Sequence, residues 1–185
     1  MKSDDSIGLR RGTVRLVESD PTWPEAFNAE AERLSALIRG AALPMIAFEH
    51  IGSTAVPGLV AKPIIDLMAG HALGIDSQRY FALLVEAGYE HRGPQGVPER
   101  ELFVLGPESR RTHHLNLVVA GGAFWREHLM FRDRLRAEPE VRAAYAVLKE
   151  RLAISHAAER GAYTLGKASF VERVTAGGTF MFDRE

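Results

Sequence analysis

Two residue types that handle phosphate groups and metal ions lie close together in the first half of the chain. Gly52 and Ser53 follow an apolar run that ends at Ile51, and Asp66 lies beyond them within a second apolar run. Glycine lets the backbone approach a ligand closely, and the amides of a tight turn can bind an anion. A carboxylate can hold a divalent cation against that anion. The spacing therefore predicts a phosphate-binding turn that faces a strand-borne acid.

Further groups suited to phosphate chemistry are spread along the chain. Thr54 adds a hydroxyl to the turn, and His114 shares one strand face with Asn116, so His114 could act with Asp66 in catalysis. Phosphate contacts are also predicted at Lys62, Arg111, Thr164 and Lys167. Thr164 is expected to begin a helix, whose free amides favour anions. The Gly-x4-Gly-Lys-Ser/Thr pattern of a P-loop is absent.

These residues also have structural interpretations that the sequence leaves open. Asp66 could pair with a buried Arg or His, because an unpaired carboxylate is costly to bury. His114 could be a hydrogen-bonded residue at the end of a sheet, and Thr164 could cap an ordinary helix. His50 could orient the turn, or it could join Asp66 and His114 in a metal site. His128 lies on an apolar helix stripe, which favours packing at the core or near the pocket.

The hydrophobic pattern predicts the elements that position these groups. Strands are predicted at 13–17, 45–51, 64–69, 101–105 and 112–119, the last two as an antiparallel pair. Helices are predicted at 22–40, 77–87, 124–135, 139–152 and 164–176, and a loop at 92–98. The order of elements indicates an α+β domain with its sheet covered on one side. Residues 1–12 are predicted to be a flexible N-terminus and residues 13–185 a single domain.

Composition excludes several classes of protein. The chain has no cysteine, which excludes disulfides, thiolate zinc sites and a cysteine nucleophile. The formal net charge is -1, and the basic clusters lack interleaved exposed aromatic residues, so nucleic acid is not expected as a partner. No apolar segment is long enough to span a membrane, and no apolar leader is present, so we expect no membrane partner and a cytoplasmic location.

Several separated motifs resemble the GrpB family and occur in the same order. They are EHIGSTAVPGL at 49–59, AKPIIDL at 61–67, HHL at 113–115, FRDRLRAEPEV at 131–141 and YTLGKASF at 163–170. The resemblance covers roughly residues 14–175, and the family is also similar to a domain fused to some bacterial dephospho-CoA kinases. It implies a nucleotidyltransferase-like fold, in which α-helices flank a mixed β-sheet. Arg132 and Asp133 of the FRD motif are expected to form a surface ion pair or to support the site.

The resemblance also shows which acids are missing. Nucleotidyltransferases carry a hydrophobic-Gly-Gly/Ser motif, then Asp-hydrophobic-Asp/Glu, and a later strand supplies a third acid. Here Met68 stands where the second acid is expected, and the later strand offers His114 and Asn116. Two-metal phosphoryl transfer needs several carboxylates around Mg²⁺. Glu49 or Glu101 could supply a missing acid.

Together, the residues and the resemblance predict a protein that binds a nucleotide or a phosphorylated small molecule. Mg²⁺ or Mn²⁺ is expected on Asp66, with transfer of a nucleotidyl group as the implied reaction. Two alternatives stay open. One is a catalytically inactive module that binds a ligand or a protein partner on the same fold, and the other is a metal-dependent hydrolase.

Overall fold

A five-stranded mixed sheet lies at the centre of the computed structural model, which describes residues 7–157 and 159–177. The strands are β1 (Ala47–Ile51), β2 (Ile65–His71), β3 (Tyr89–Gly93), β4 (Glu101–Leu105) and β5 (His113–Val119). Their order across the sheet is β1-β2-β5-β4-β3. The central strands β2 and β5 are parallel, and the other neighbours are antiparallel. The predicted α+β fold and the predicted β4–β5 pair are confirmed.

Helices cover both faces of this sheet. They are α1 (Trp23–Gly40), α2 (Phe81–Glu86), α3 (Ala123–Ala137), α4 (Pro139–Ser155), α5 (Arg160–Leu165) and α6 (Ala168–Thr175). Helices α1 and α2 pack on one face, here called the α1 face, and α3 packs on the other, the α3 face. The expectation of a sheet covered on one side is therefore wrong. Parallel central strands carry apolar residues on both faces, and both faces must be buried.

Side chains alternate between the two faces along each strand. On the α1 face, Leu67 and Leu115 are fully buried against Trp23, Leu34 and Ile38 of α1. The α3 face has a smaller apolar cluster, in which Met68 packs with Ile51 and Val118. The rest of the α3 face carries polar residues toward α4, α5 and α6. The alternation of β2 and β5 thus separates a dry core from a polar side.

Two predicted strands differ from the structure. Residues 13–17 form no strand, and Val17 makes only an isolated bridge to Ala61. Strand β3 was not predicted, because Glu90, His91 and Arg92 give it a polar sequence. It lies at the edge of the sheet, where charged side chains are common.

The predicted C-terminal helix 164–176 is two shorter helices. Thr164 lies inside α5, and the chain passes through Gly166 before α6 begins. A Cβ atom on Gly166 would lie 2.5 Å from Cδ2 of Leu152, so the glycine permits close packing against α4. The prediction that Thr164 caps a helix N-terminus is wrong, since the residue lies in the last turn of α5.

The N-terminal segment is only partly described. Residues 1–6 of the predicted flexible N-terminus lie outside the described residues, but residues 7–12 pack against the sheet. Leu9 is buried and pairs with Arg111, and the Gly8 amide donates a hydrogen bond to the Pro63 carbonyl at 2.7 Å. Within the described ranges no helix is both long and apolar enough to cross a membrane. The cytoplasmic location stays a prediction.

Candidate functional site

The predicted turn and acid do meet in the structure. Gly52 has a φ of 71° and connects β1 to a 3-10 turn at Ser53–Ala55. A Cβ atom on Gly52 would lie 2.4 Å from Oδ2 of Asp66. Both the left-handed backbone and this close approach require glycine at position 52. The turn therefore lies directly against the Asp66 carboxylate.

His114 is the direct partner of Asp66. The two residues are opposite each other in the parallel pairing of β2 and β5, and Nδ1 of His114 lies 3.0 Å from Oδ1 of Asp66. Burial alone would raise the pKa of Asp66, but the hydrogen bond and charge of His114, together with Lys62, lower it overall. The carboxylate is thus ionised at neutral pH. About a third (33%) of the Asp66 side chain remains exposed, so a ligand can reach it.

His50 supports the turn from the other side of the sheet. Its ring stacks on Phe27 at 4.8 Å, and Nε2 lies 3.0 Å from the Thr54 hydroxyl. Burial lowers the pKa of His50 to about 4, so the ring is neutral. These contacts agree with the predicted role in orienting the turn. The set of Asp66, His114 and His50 expected for a hydrolase is not assembled, because β1 directs His50 toward α1.

Both proposed replacement acids are bonded to other residues. Glu49 lies on the α3 face, but its carboxylate accepts a 2.6 Å hydrogen bond from Arg132. Glu101 lies on the α1 face and pairs with His91 at 2.7 Å. Among residues 7–157 and 159–177, no three His, Asp or Glu side chains are grouped to hold a metal ion. This donor set does not fit a two-metal centre, and Mg²⁺ or Mn²⁺ on Asp66 stays a prediction.

Arg132 anchors the strand that leads into the turn. It is 9% exposed, so the expectation of a surface ion pair is wrong. Besides binding Glu49, its guanidinium donates to Asp133 at 2.7 Å and to the His50 carbonyl at 3.0 Å. These bonds tie α3 to β1 one residue before Ile51. The expected supporting role agrees with this geometry.

A cavity of about 500 Å³ opens between the sheet and helices α3 to α6. The turn, Asp66 and His114 lie at its sheet side. The chain contains four lysines, and the three in the described residues, Lys62, Lys149 and Lys167, all line this cavity. The two other carboxylates on the lining are Glu127 and Glu172. Most basic residues of the chain are arginines, and the three lysines that the structure describes all lie around one cavity.

Lys149 is the most buried of these cations, with 2% of its surface exposed. Its ammonium donates a hydrogen bond to the Val60 carbonyl and lies 5.3 Å from the centre of the Tyr145 ring. Burial, together with the charges of Lys167 and Lys62, lowers the pKa of Lys149 to about 7. The Tyr145 hydroxyl in turn bonds to the Ser53 side chain. Lys149 is therefore only partly protonated near pH 7.

Lys62 and Lys167 lie close to one tyrosine ring. Their ammonium groups are 5.1 Å and 4.5 Å from the centre of the Tyr163 ring. Burial raises the pKa of Tyr163 to about 12, so the ring stays neutral. Thr164 also lines the cavity, although it caps no helix. Of the residues predicted to contact phosphate, these three join Gly52, Ser53 and Thr54 on one cavity.

Arg111 is the predicted phosphate contact that the cavity does not include. It is buried, and its guanidinium donates to Glu90 and to the Gly106 carbonyl. The cavity instead has Arg100, whose guanidinium lies 5.9 Å from the centre of the Phe124 ring. Strand β3 supplies the carboxylate that binds this guanidinium, and the phosphate contact of Arg111 stays a prediction.

Aromatic rings form part of the cavity lining, here called the aromatic wall. Phe124 and His128 of α3 stack at 3.7 Å, and Nδ1 of His128 lies 2.9 Å from the Phe124 carbonyl. Burial lowers the pKa of His128. Phe131 and Tyr145 meet edge to face at 5.1 Å. The cavity therefore combines cations near the turn with flat apolar surfaces from α3 and α4.

Sequence reasoning missed Lys149 and Arg100. A signal for Lys149 was present, because Val141, Tyr145 and Lys149 recur every four residues on the buried stripe of α4. A charged residue on such a stripe needs a partner or a function. Arg100 lies in the loop before β4, and no periodicity points to it.

Comparison with known proteins gives the family. A family model described as GrpB protein matches residues 13–176. A UPF0157 protein of Pseudomonas aeruginosa is 40% identical over 164 residues, covering 87% of this chain and 66% of that protein. The glutamate-rich protein GrpB of Alkalihalophilus pseudofirmus is 34% identical, covering 91% and 97%. The chain spans 45% of a UPF0157 protein of Bacillus subtilis, which is 37% identical. A dephospho-CoA kinase of Mycolicibacterium paratuberculosis is 28% identical over 76% of this chain.

Solved structures agree with this assignment. The crystal structure of GrpB from Enterococcus faecalis has a TM-score of 0.77 and 31% identity, covering 88% of this chain and 96% of that one. The Cid1 poly(U) polymerase bound to MgGTP has a TM-score of 0.52 and 12% identity, covering 74% and 44%. The latter likeness concerns the fold alone and confirms that it is nucleotidyltransferase-like. From the matched motifs, the family model and these relatives, the chain belongs to the GrpB family.

Proposed function

We propose that the cavity binds the phosphate groups of a nucleotide or of a similarly built phosphorylated molecule. The observation that carries this proposal is the placement of Lys62, Lys149 and Lys167 around one cavity beside the Gly52 turn. The charges of Lys62 and Lys167 repel that of Lys149, and the buried Lys149 is also costly to desolvate. A multiply charged anion relieves both costs, whereas a neutral ligand relieves neither.

The turn and the lysines have complementary parts in this proposal. Turn amides near Ser53 bind a phosphate oxygen, and the lysines neutralise its charge. Lys149 becomes protonated as the anion enters, because a nearby negative charge raises the pKa of an amine. The Tyr145 hydroxyl orients the Ser53 side chain toward the ligand.

The aromatic wall accommodates the remainder of the ligand. Phe124 and Phe131 present ring surfaces on which a nucleobase can stack. The cavity volume, about 500 Å³, lies within the range of small-molecule sites. This combination favours a nucleotide over inorganic phosphate. Two similar proteins support the same class of ligand, since Cid1 was bound to MgGTP and another relative is a dephospho-CoA kinase.

The carboxylates favour binding over two-metal transfer chemistry. Asp66 is bonded to His114, and Glu49 and Glu101 have other partners. The proposed binding is therefore independent of Mg²⁺. Asp66 then repels the anion and directs it toward the lysines.

Isothermal titration calorimetry with ATP and with dephospho-CoA, with and without Mg²⁺, tests this proposal. Removing one ammonium in Lys167→Ala should weaken binding about tenfold. Arg39→Ala is the matched control, because Arg39 is an exposed cation on α1. Asp66→Asn should bind as tightly as the wild type or more tightly, since a repulsive charge is removed. No binding of any phosphorylated probe by the wild-type protein would overturn the proposal.

Nucleotidyl transfer is a second candidate, favoured by the contact between Gly52 and Asp66. It predicts that ATP binding requires Mg²⁺ or Mn²⁺ and is lost in Asp66→Asn. Labelled nucleotide should then be transferred to an acceptor in a metal-dependent assay. Metal-independent binding that survives Asp66→Asn, without label transfer, would exclude this candidate.

A further inference from the structure

A second cavity of about 700 Å³ adjoins the first one. The two cavities share Lys62, Arg100, His114 and Thr164 on their common wall. The second cavity, here called the arginine compartment, extends toward residues 9–13 and the loop between β3 and β4. The shared residues make the two cavities parts of one larger site with Asp66 and His114 near the junction.

Arginines dominate the lining of this compartment. Arg10, Arg11, Arg92, Arg100 and Arg111 all lie on it, and its described lining residues include no carboxylate. Acids behind the lining bind three of the five, since Glu108 pairs with Arg11 and Glu90 pairs with both Arg92 and Arg111. Within the described residues, Arg10 and Arg100 form no ion pair with a carboxylate.

Besides having no ion pair with a described carboxylate, Arg100 has one hydrogen-bond donor without a partner. Its Nη2 donates to the Pro94 carbonyl at 2.9 Å, but its Nε is buried without a hydrogen-bond partner in the described structure. Buried donors in native proteins almost always have a partner, so the guanidinium of Arg100 is incompletely satisfied. Because Arg100 lines both cavities, this guanidinium lies at their junction.

We propose that the arginine compartment binds a second phosphate group, so that the whole site accepts two phosphorylated moieties side by side. This inference rests on the proposed function of the first cavity. Arg100 contacts phosphate at the junction, and Arg10 contacts the group held in the arginine compartment. Guanidinium groups suit this task because their forked donors match phosphate oxygens. The second moiety is either a separate phosphorylated small molecule or the far end of a dinucleotide.

Calorimetry with three probes tests the inference. ADP reports the first cavity, diadenosine tetraphosphate reports a ligand that spans both, and AMP added with and without saturating ADP reports a separate second ligand. Arg10→Ala should weaken the binding of diadenosine tetraphosphate or of AMP about tenfold and leave ADP within twofold. Arg10 is exposed, so this variant should fold, and Arg39→Ala is again the control.

The outcomes separate the two proposals. If Arg10→Ala weakens the binding of AMP, the second moiety is a separate ligand. If it weakens the binding of diadenosine tetraphosphate alone, one ligand spans both cavities. Both results support the inference. If ADP binds but Arg10→Ala matches the wild type with both other probes, the inference is overturned while the proposed function stands. If neither ADP nor any other probe of the first cavity binds, the proposed function fails. AMP binding that Arg10→Ala weakens then still supports the arginine compartment, and AMP binding that it leaves unchanged, or no AMP binding, overturns the inference.

Discussion

On β5, Leu115 and Leu117 point to the α1 face, whereas His114 and Asn116 point to the α3 face. The leucines are at most 1% exposed and pack in one continuous apolar core. On the other face, His114 binds Asp66 across the strands, and Asn116 donates to the Leu67 carbonyl at 3.2 Å. The same strand thus contributes to stability through one set of residues and to a charged cavity through the next.

This difference between the two faces indicates how the fold can tolerate a site that lowers its stability. Burial disfavours the charge of Lys149, so this residue opposes folding. The dry core on the α1 face offsets that cost without sharing any side chain with the cavity. Stability and ligand binding should therefore respond to different residues on the same strands.

The largest expected effect comes from the α1 face. Leu115→Ala should lower the free energy of unfolding by about 3 kcal/mol, because it leaves a cavity among fully buried side chains. His114→Ala should cost about 1 kcal/mol or less and should alter ligand affinity instead. Urea denaturation of both variants measures the two costs. Equal costs would contradict the separation of roles between the faces.

Next in size is the pH dependence caused by Lys149. Its pKa falls from the ordinary 10.5 to about 7 in the folded protein, so the unfolded chain binds more protons between these values. Stability should therefore rise with pH, by about 2 kcal/mol between pH 7 and pH 9. Urea denaturation across that range should show this rise in the wild type and a flatter profile in Lys149→Met. Parallel profiles would show that Lys149 is charged in the folded, ligand-free protein.

A somewhat smaller effect is expected in acid from His50 on the α1 face. Its folded pKa of about 4 lies below the ordinary 6.5, so the unfolded chain gains a proton first as pH falls. The protein should lose about 1 to 2 kcal/mol between pH 6.5 and pH 5. His50→Phe keeps a ring against Phe27 and should reduce this loss in thermal or chemical denaturation. An unchanged acid slope in the variant would count against a buried neutral imidazole.

The smallest expected effect is the difference in stability between two glycine variants. This difference isolates the contact between the turn and the Asp66 carboxylate. Gly52 and Gly58 both have positive φ values, but only a Cβ at Gly52 meets Asp66, since nothing lies within 4 Å of one at Gly58. Gly58→Ala should cost about 1 kcal/mol through backbone strain, and Gly52→Ala about 1 kcal/mol more. Gly52→Ala alone should weaken ATP binding. Equal stability and affinity in the two variants would show that the Asp66 contact is unimportant.

Much of the fold could be predicted because its signals are local. The apolar runs of β1, β2, β4 and β5 are short, and their alternation assigns Asp66 to one face and Leu67 to the other. Hydrophobic periodicity also predicted α1, α3 and α4, and the family resemblance implied that helices flank the sheet. Strand β3 was missed because a polar edge strand forms by pairing with β4, which no local pattern records. The break at Gly166 was missed because it depends on the distance to Leu152.

The candidate site was predictable only where its residues lie within motifs. Gly52, Ser53, Asp66 and Lys62 come from one continuous segment, and their spacing already indicated a shared site. The binding partner of an arginine could not be predicted in this way, because its long flexible side chain can bind any acid within reach. Arg111 was expected at phosphate but binds Glu90, while Arg132 was expected at the surface but is buried against Glu49.

By itself, the sequence determined the family, four of the five strands of the sheet and the turn that faces Asp66. These follow from the local preferences of glycine, from the alternation of side chains along a strand and from motif order. Only the tertiary structure decided that His114 is the partner of Asp66, that Glu49 and Glu101 are engaged elsewhere and that Lys149 lines the cavity. Those facts depend on which elements pack together and on how burial and charge compete at short range, and neither is encoded by position along the chain.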